Sequence, residues 1–367
     1  VLVLSLSIRG LPGSPTVESM NNVEWTDDGP LELSPERGRF ALLYSVVEDK
    51  TPFFSLSVAR LALPDLGYIN GKFVSLFAPG LSYLIAPGYL VGKYLGSSQV
   101  GAYAVISIFA ILNTLLIYRI AVSLKASKTA ALIASLILLF ATPAYAYAVA
   151  LYQHHVSTFI LLICIYLLQK SKGFFSQLVA WMFIALSIPL DYPNLVILFP
   201  VGIYLLSLAV DYTKGDKDIK LKIKPLNILA MIGVVPPLLF FLWFNQLSYG
   251  NPLQFSGTVQ AIKVIDEAGA PVLPEIAPGE TKSAISFFKP RNMLNGLYVQ
   301  TTSPDRGILW YAPVLLFGIL GTLLYFKTSQ NPIAVVIVGA VLANILLYAM
   351  WGDPWGGWAF GSSYLIP

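Results

Sequence analysis

The sequence predicts an all-α protein that crosses a membrane many times. Of its 367 residues, 56% are hydrophobic and 11% charged, where a soluble domain carries roughly 25% charged residues. Mean hydropathy is +0.71. Apolar runs of about 20 residues, long enough to span a bilayer as helices, recur along the chain. They leave little for a separate soluble domain, so a single transmembrane domain covering 1–367 is expected. The net charge of +4 sits largely in short connections between apolar runs, as membrane topology requires. No basic stripe interleaved with aromatics points to a nucleic-acid partner. Cys164 is the only cysteine, which excludes an intrachain disulfide and a multi-cysteine zinc site. It reads as a packed or lipid-facing thiol.

Val1 to Ile8 is apolar but too short to span, and Arg9 follows it directly. It reads as the tail of a first transmembrane helix, and no signal peptide is visible. Tyr364-Leu365-Ile366-Pro367 reads as the start of another span, so both ends are expected to be truncated. Residues 10–72 form a polar loop in which acids outnumber bases, with a short amphipathic helix expected over 39–50, before Pro52. Spans are expected at 100–121, 129–149, 156–169, 174–190, 194–211, 225–245, 308–326 and 332–350. With the remnant at the start, that makes about nine.

Loop charge orients these spans. Basic residues gather at the ends of the first, third, fifth and seventh: Arg119, Lys125 and Lys128; Lys170 and Lys172; five lysines from Lys214 to Lys224; and Lys327. Such connections face the cytoplasm. The first loop then faces outside only if 73–95 does not cross an odd number of times. Pro79, Gly80, Pro87 and Gly88 interrupt that stretch, so an interfacial or re-entrant helix pair is expected there. The extracytoplasmic side collects the loop 10–95, Gln153-His154-His155, Asp191-Tyr192-Pro193-Asn194, the loop 246–307 and the Trp351–Trp358 tail.

Candidate chemistry lies on that side. Glu36, flanked by Arg37 and Arg39, reads either as a general base beside a phosphate-binding pair or as an acid favoured at a helix start. His154 and His155 are the only histidines. Adjacent histidines point to different sides of a helix, so they form no two-histidine metal site at helical spacing. One of them could bond a phosphate or a sugar hydroxyl; satisfied interfacial histidines are the alternative. Asp191, between two apolar runs, is either a functional acid or part of a short turn. Arg306 in Ser303-Pro304-Asp305-Arg306-Gly307 is a cation on the outward side, as is Arg291. Each suits an anionic ligand or membrane anchoring. Trp355 and Trp358, beside Gly356 and Gly357, fit an aromatic belt or a sugar-stacking surface.

Taken together, these pieces resemble the GT-C glycosyltransferases that use polyprenyl-phosphate-linked sugars, in the branch of the protein O-mannosyltransferases and aminoarabinose transferases. Glu36-Arg37-Gly38-Arg39-Phe40-Ala41 is similar to the acidic motif of the family's first outer loop, with Glu36 at the catalytic acid position. Arg37 stands where the family has a second acid. Gly71-Lys72-Phe73 followed by Ala78-Pro79-Gly80-Leu81 is similar to its glycine-aromatic and Pro-Pro or Pro-Gly pattern, without the family's lysine. Three later stretches follow in the expected order. They are Asn245 with Tyr249-Gly250-Asn251-Pro252, Ser303 to Ile308 with Tyr311-Ala312-Pro313, and Trp355 to Gly361 with Tyr364-Leu365. Ser363 replaces an arginine of the last pattern.

The resemblance implies a GT-C-like helical bundle with a long extracytoplasmic first loop and interfacial helices. It implies inverting transfer of a sugar from a polyprenyl-phosphate donor to a hydroxyl acceptor on a protein, lipid or glycan, outside the cell membrane. Glu36 would take the acceptor proton, and Arg37, Arg39, Arg291 and Arg306 would meet the phosphate. Asp191 and one of His154 and His155 would orient the sugar or the base. No metal-ligand set is expected, but members of this fold differ in their need for a divalent metal, so the cofactor stays open. Two other readings stay open: a transporter or flippase of a lipid-linked or anionic solute, and a non-catalytic subunit of a glycosylation complex.

Overall fold

The computed structural model describes residues 1–21, 29, 31, 33–214, 219–273, 283–356 and 359–366. The chain opens on a short helix, α1 (Leu2–Ser7). Leu4 on it packs against Ala110, Leu139, Ala148 and Val149.

Helix α2 (Ser34–Val47) carries the first-loop motif. It starts earlier than the expected 39–50 because Ser34-Pro35 sets the first turn, where proline's missing N–H costs nothing. Glu36 folds back and accepts from the Leu33 amide at 3.5 Å. The helix is not amphipathic: every residue from Gly38 to Ser45 is buried, so it runs through the core rather than along a surface. Gly38 permits this, since a Cβ there would stand 2.5 Å from the Phe77 ring.

After α3 (Leu56–Ala62), the chain forms a hairpin of β1 (Leu66–Ile69) and β2 (Lys72–Ser75). Asn70 and Gly71 turn it, with φ of 50° and 76°, the backbone that an Asn-Gly turn takes between antiparallel strands. The sequence reading assigns this stretch to a polar loop and the start of a helix pair; the structure corrects both. A third strand, β5 (Gln260–Ile262), pairs antiparallel with β1, giving the order β2-β1-β5. The small sheet thereby ties the first long loop to the 246–307 loop.

Residues 80–94 form one helix, α4 (Gly80–Tyr94), with Pro87 inside it, where a helix pair is expected. Its small residues hold it against α5 (Ser98–Ser123). A Cβ on Gly101 would lie 2.1 Å from the Gly88 carbonyl oxygen, and one on Gly92 would lie 2.4 Å from that of Ser97. The two backbones touch, as helices do in membranes where glycines meet.

The remaining spans follow the expected order. They are α6 (Lys128–Phe140) with α7 (Ala144–Ala148), α8 (His154–Lys170), α9 (Phe174–Leu190), and α10 (Asn194–Ile197) with α11 (Phe199–Leu208). A hairpin of β3 (Val210–Lys214) and β4 (Ile219–Ile223) leads to α12 (Pro225–Leu229) and, through a 3-10 turn, to α13 (Val235–Tyr249). Then come α14 (Met293–Thr301), α15 (Ile308–Tyr311), α16 (Leu315–Thr328) and α17 (Pro332–Ala349). Among the described residues, three helical stretches are long and apolar enough to cross a membrane: Ser98–Ser123, Pro225–Tyr249 and Pro332–Ala349. The other expected spans are shorter, and three are broken. Pro143, Pro200 and Pro313 lie at those breaks, since proline lacks the N–H that would continue the ladder. The main core joins α2, α3 and α4 to α5, α8, α9, α11 and α13. No residue of α16 is buried.

Candidate functional site

Polar side chains converge where α2 starts, where α8 starts and where α9 ends. Glu36 lies in the first turn of α2 and is 2% exposed. One carboxylate oxygen accepts from the Leu151 amide at 2.8 Å; the other, among the described residues, has the long contact from Leu33. Burial pushes its pKa above the usual glutamate range. The two backbone amides, with Arg9 and Arg39, offset part of that shift.

Arg39 follows three residues later, on the same face of α2. Its guanidinium donates to the Pro35 carbonyl at 3.2 Å and to the Gln153 side-chain oxygen at 2.6 Å. It lies 4.8 Å from the centre of the Phe77 ring and 5.1 Å from that of Tyr152, within cation–π range. Burial pulls its pKa below the usual value, and Tyr152, Asp191 and Glu36 pull it back up. Gln153 then donates its amide N–H to Asp191 Oδ2 at 2.8 Å. Asp191 sits just past the C-terminus of α9. Burial raises its pKa, against the Gln153 hydrogen bond and the charge of Arg39. Arg39, Gln153 and Asp191 therefore form a continuous polar chain, with Glu36 within electrostatic reach.

The two histidines divide. His154 stacks on Tyr152, with centroids 5.5 Å apart and planes 9° apart, and meets Tyr147 edge-on at 4.8 Å. Its Nδ1 is buried without a hydrogen-bond partner among the described residues. The His155 ring instead serves helix packing. Its Nε2 lies 2.8 Å from the Ala144 carbonyl and its Nδ1 3.3 Å from Asn113 Nδ2. The register of α8 points one ring into the polar cluster and the other into the bundle.

Arg306 reaches the rim of the same region. It donates to the Ala359 carbonyl at 3.0 Å and lies 4.0 Å from Asp305. The Tyr147 hydroxyl, which bonds both backbone groups of Phe360, feels the charges of Arg306 and Glu36. Ser363 lies near the Tyr147 hydroxyl. Arg37 turns away and donates to the Leu63 carbonyl at 3.2 Å. Arg291 is exposed on a 3-10 turn (Pro290–Asn292) before α14 and is not gathered into the cluster. Trp355 is 42% exposed; Trp358 lies outside the described residues.

Sequence reasoning misses Gln153 as a site residue, though it directly precedes the two histidines. It also misses Asp65, whose carboxylate accepts from Ser34 at 2.6 Å and whose charge reaches Arg39. No signal in the sequence separates Asp65 from the other loop acids. Next to the cluster lies an apolar cavity of about 110 Å³ between α4, α5, α8 and α9, lined among others by Leu84, Phe109, Val156 and Leu190. Leu190 directly precedes Asp191. Among the described residues, no three His, Cys, Asp or Glu side chains group as metal ligands.

No family model matches the chain, and no curated protein matches it. Among solved structures it is similar to ArnT from Cupriavidus metallidurans in the apo state, with a TM-score of 0.50 at 13% identity. That match covers 100% of this chain and 55% of ArnT. The apo Archaeoglobus fulgidus oligosaccharyltransferase aligns with a TM-score of 0.45 at 15% identity, over 99% of this chain and 48% of that one. The chain thus spans about half the length of each. Its run of apolar helices and its likeness to ArnT make it a mostly helical polytopic membrane protein with a GT-C-like fold, where the sequence alone predicts an all-α one.

Proposed function

We propose that the protein transfers a sugar from a polyprenyl-phosphate carrier to a hydroxyl acceptor on the extracytoplasmic side of the membrane. The observation that carries this reading is the buried cluster of Glu36, Arg39, Gln153 and Asp191 beside an apolar cavity, in a fold similar to ArnT. A carboxylate with a raised pKa is a stronger base near neutral pH. The acceptor O–H would give its proton to Glu36, at the oxygen that Leu33 holds only loosely. The acceptor oxygen would attack the anomeric carbon as the carbon–oxygen bond to phosphate breaks. In-line attack inverts that carbon. The leaving polyprenyl phosphate carries the departing negative charge, and cations stabilise such charge. Arg39, with Arg306 at the rim, would take that role. The cavity beside Leu190 suits an apolar part of the donor.

Glu36 is covered in this conformation, so the reading requires the first loop and the 149–153 connection to part when substrate binds. The test supplies purified protein with radiolabelled polyprenyl-phosphate sugars and membrane acceptors. Glu36→Gln keeps the shape and should lower transfer by about 10²–10⁴-fold. Transfer unaffected by that change would remove Glu36 as the base. No transfer from any donor, together with solute flux in proteoliposomes, would favour a transporter.

A further inference from the structure

The β3–β4 hairpin lies at the other pole of the charge distribution, where the lysines gather. It joins two spans with almost no linker. β3 begins two residues after α11, and one residue separates β4 from α12. Its base is clamped to the helix ends. The Lys224 amide donates to the Ala209 carbonyl at 2.8 Å, and the Asn227 side chain donates to that of Leu208 at 2.6 Å.

The register divides the hairpin into two faces. Val210 pairs with Ile223, Asp211 with Lys222, and Tyr212 with Leu221. Paired residues share a face and neighbours alternate, so Val210, Leu221 and Ile223 stand together, opposite Asp211 and Lys222. On the apolar face Val210 is 38% exposed, Leu221 66% and Ile223 61%. That surface continues into the flanking helices, where Leu206 of α11 and Leu226 and Leu229 of α12 are exposed as well. From 211 to 224 the segment holds five lysines and three aspartates, so it is net basic. A two-stranded hairpin is marginal in water by itself, and one with a bare aliphatic face needs a cover.

We propose that this hairpin is a membrane-surface anchor, its Val210–Leu221–Ile223 face lying at the headgroup–acyl boundary and Lys222 meeting anionic phospholipid headgroups. Exposed leucines on the two flanking helices extend the apolar character on either side of the hairpin. The excess positive charge complements an anionic leaflet. The physics is that of an interfacial amphipathic helix, with the strand period of two in place of the helical one.

The test uses the full chain, in which Cys164 is fully buried and leaves single introduced cysteines free to be labelled. An NBD fluorophore is attached to Leu221→Cys, Ile223→Cys or Lys222→Cys. The proteins are reconstituted in phosphatidylcholine vesicles with and without phosphatidylglycerol, and each carries lipid-borne nitroxide quenchers. Quenching at 221 and 223 should exceed that at 222 several-fold, and the excess should grow with phosphatidylglycerol. Changing Lys220→Gln and Lys222→Gln together leaves the strand pairing intact and should abolish that growth, read at a 221 label. Equal quenching at 221 and 222 would overturn the anchor. So would a 221 label shielded from both lipid and aqueous quenchers, which means a protein covers the face. Quenching indifferent to phosphatidylglycerol would overturn the headgroup contact.

Discussion

Glu36 and Arg39 stand one helical turn apart and are held by the same connection of the chain. Glu36 leans on the Leu151 amide, and Arg39 leans on Gln153, two residues further on. The 149–153 connection therefore sets both the proposed base and its neighbouring cation. Because burial raises the Glu36 pKa, the folded protein holds its proton more tightly than the unfolded chain does. This contribution favours the folded state below the ordinary glutamate range and is lost as pH rises through the raised value. The ionised form of the proposed base appears over that same rise, so the acid limb of the proposed transfer's pH profile should lie above about 4.3, the unperturbed glutamate value. A limb at or below that value would contradict Glu36 as the base. Gln153 makes a second residue-scale prediction. Gln153→Ala leaves the buried Asp191 carboxylate without its donor and should lower stability by about 1–3 kcal/mol, read as thermal unfolding in detergent. Gln153→Glu should cost more, because it sets a second carboxylate against Asp191.

Among the elements, the α4–α5 pair is the most sharply specified. Gly101 meets the Gly88 carbonyl at a distance that leaves no room for a methyl group, and a backbone atom cannot swing aside. Gly101→Ala should destabilise by about 1–3 kcal/mol. Gly318 of α16 has nothing within 4 Å of an added Cβ, and Gly318→Ala should be neutral or stabilising by up to about 1 kcal/mol. Equal effects of the two changes on the unfolding temperature would count against the close packing of α4 on α5. The β1–β2 hairpin illustrates a different kind of specification. Its Asn70-Gly71 turn is written in the sequence, yet it is embedded in a loop whose acidity dominates a first reading. The strands exist because β5, nearly 200 residues away in sequence, completes their sheet.

For the whole molecule, the distribution of charge predicts orientation. A cysteine replacing Lys172, exposed between α8 and α9, should react with an impermeant reagent only from the cytoplasmic side. Labelling from outside would invert the arrangement. The membrane class and the order of spans were determined by the sequence itself, because lipid demands long apolar runs and their count and spacing survive without any tertiary contact. So was the neighbourhood of Glu36 and Arg39, since three residues apart on a helix is a local relation. The rest belongs to the tertiary structure. Arg39 meets Gln153 across 114 residues and Gln153 meets Asp191 across 38, distances at which no local pattern carries information. Helix register alone decides that His154 enters the cluster and His155 packs into the bundle. Only the folded chain could turn Arg37 away from Glu36 while drawing Asp191 in. A charged group in a membrane protein goes where packing leaves it a partner, and that is settled by three-dimensional arrangement.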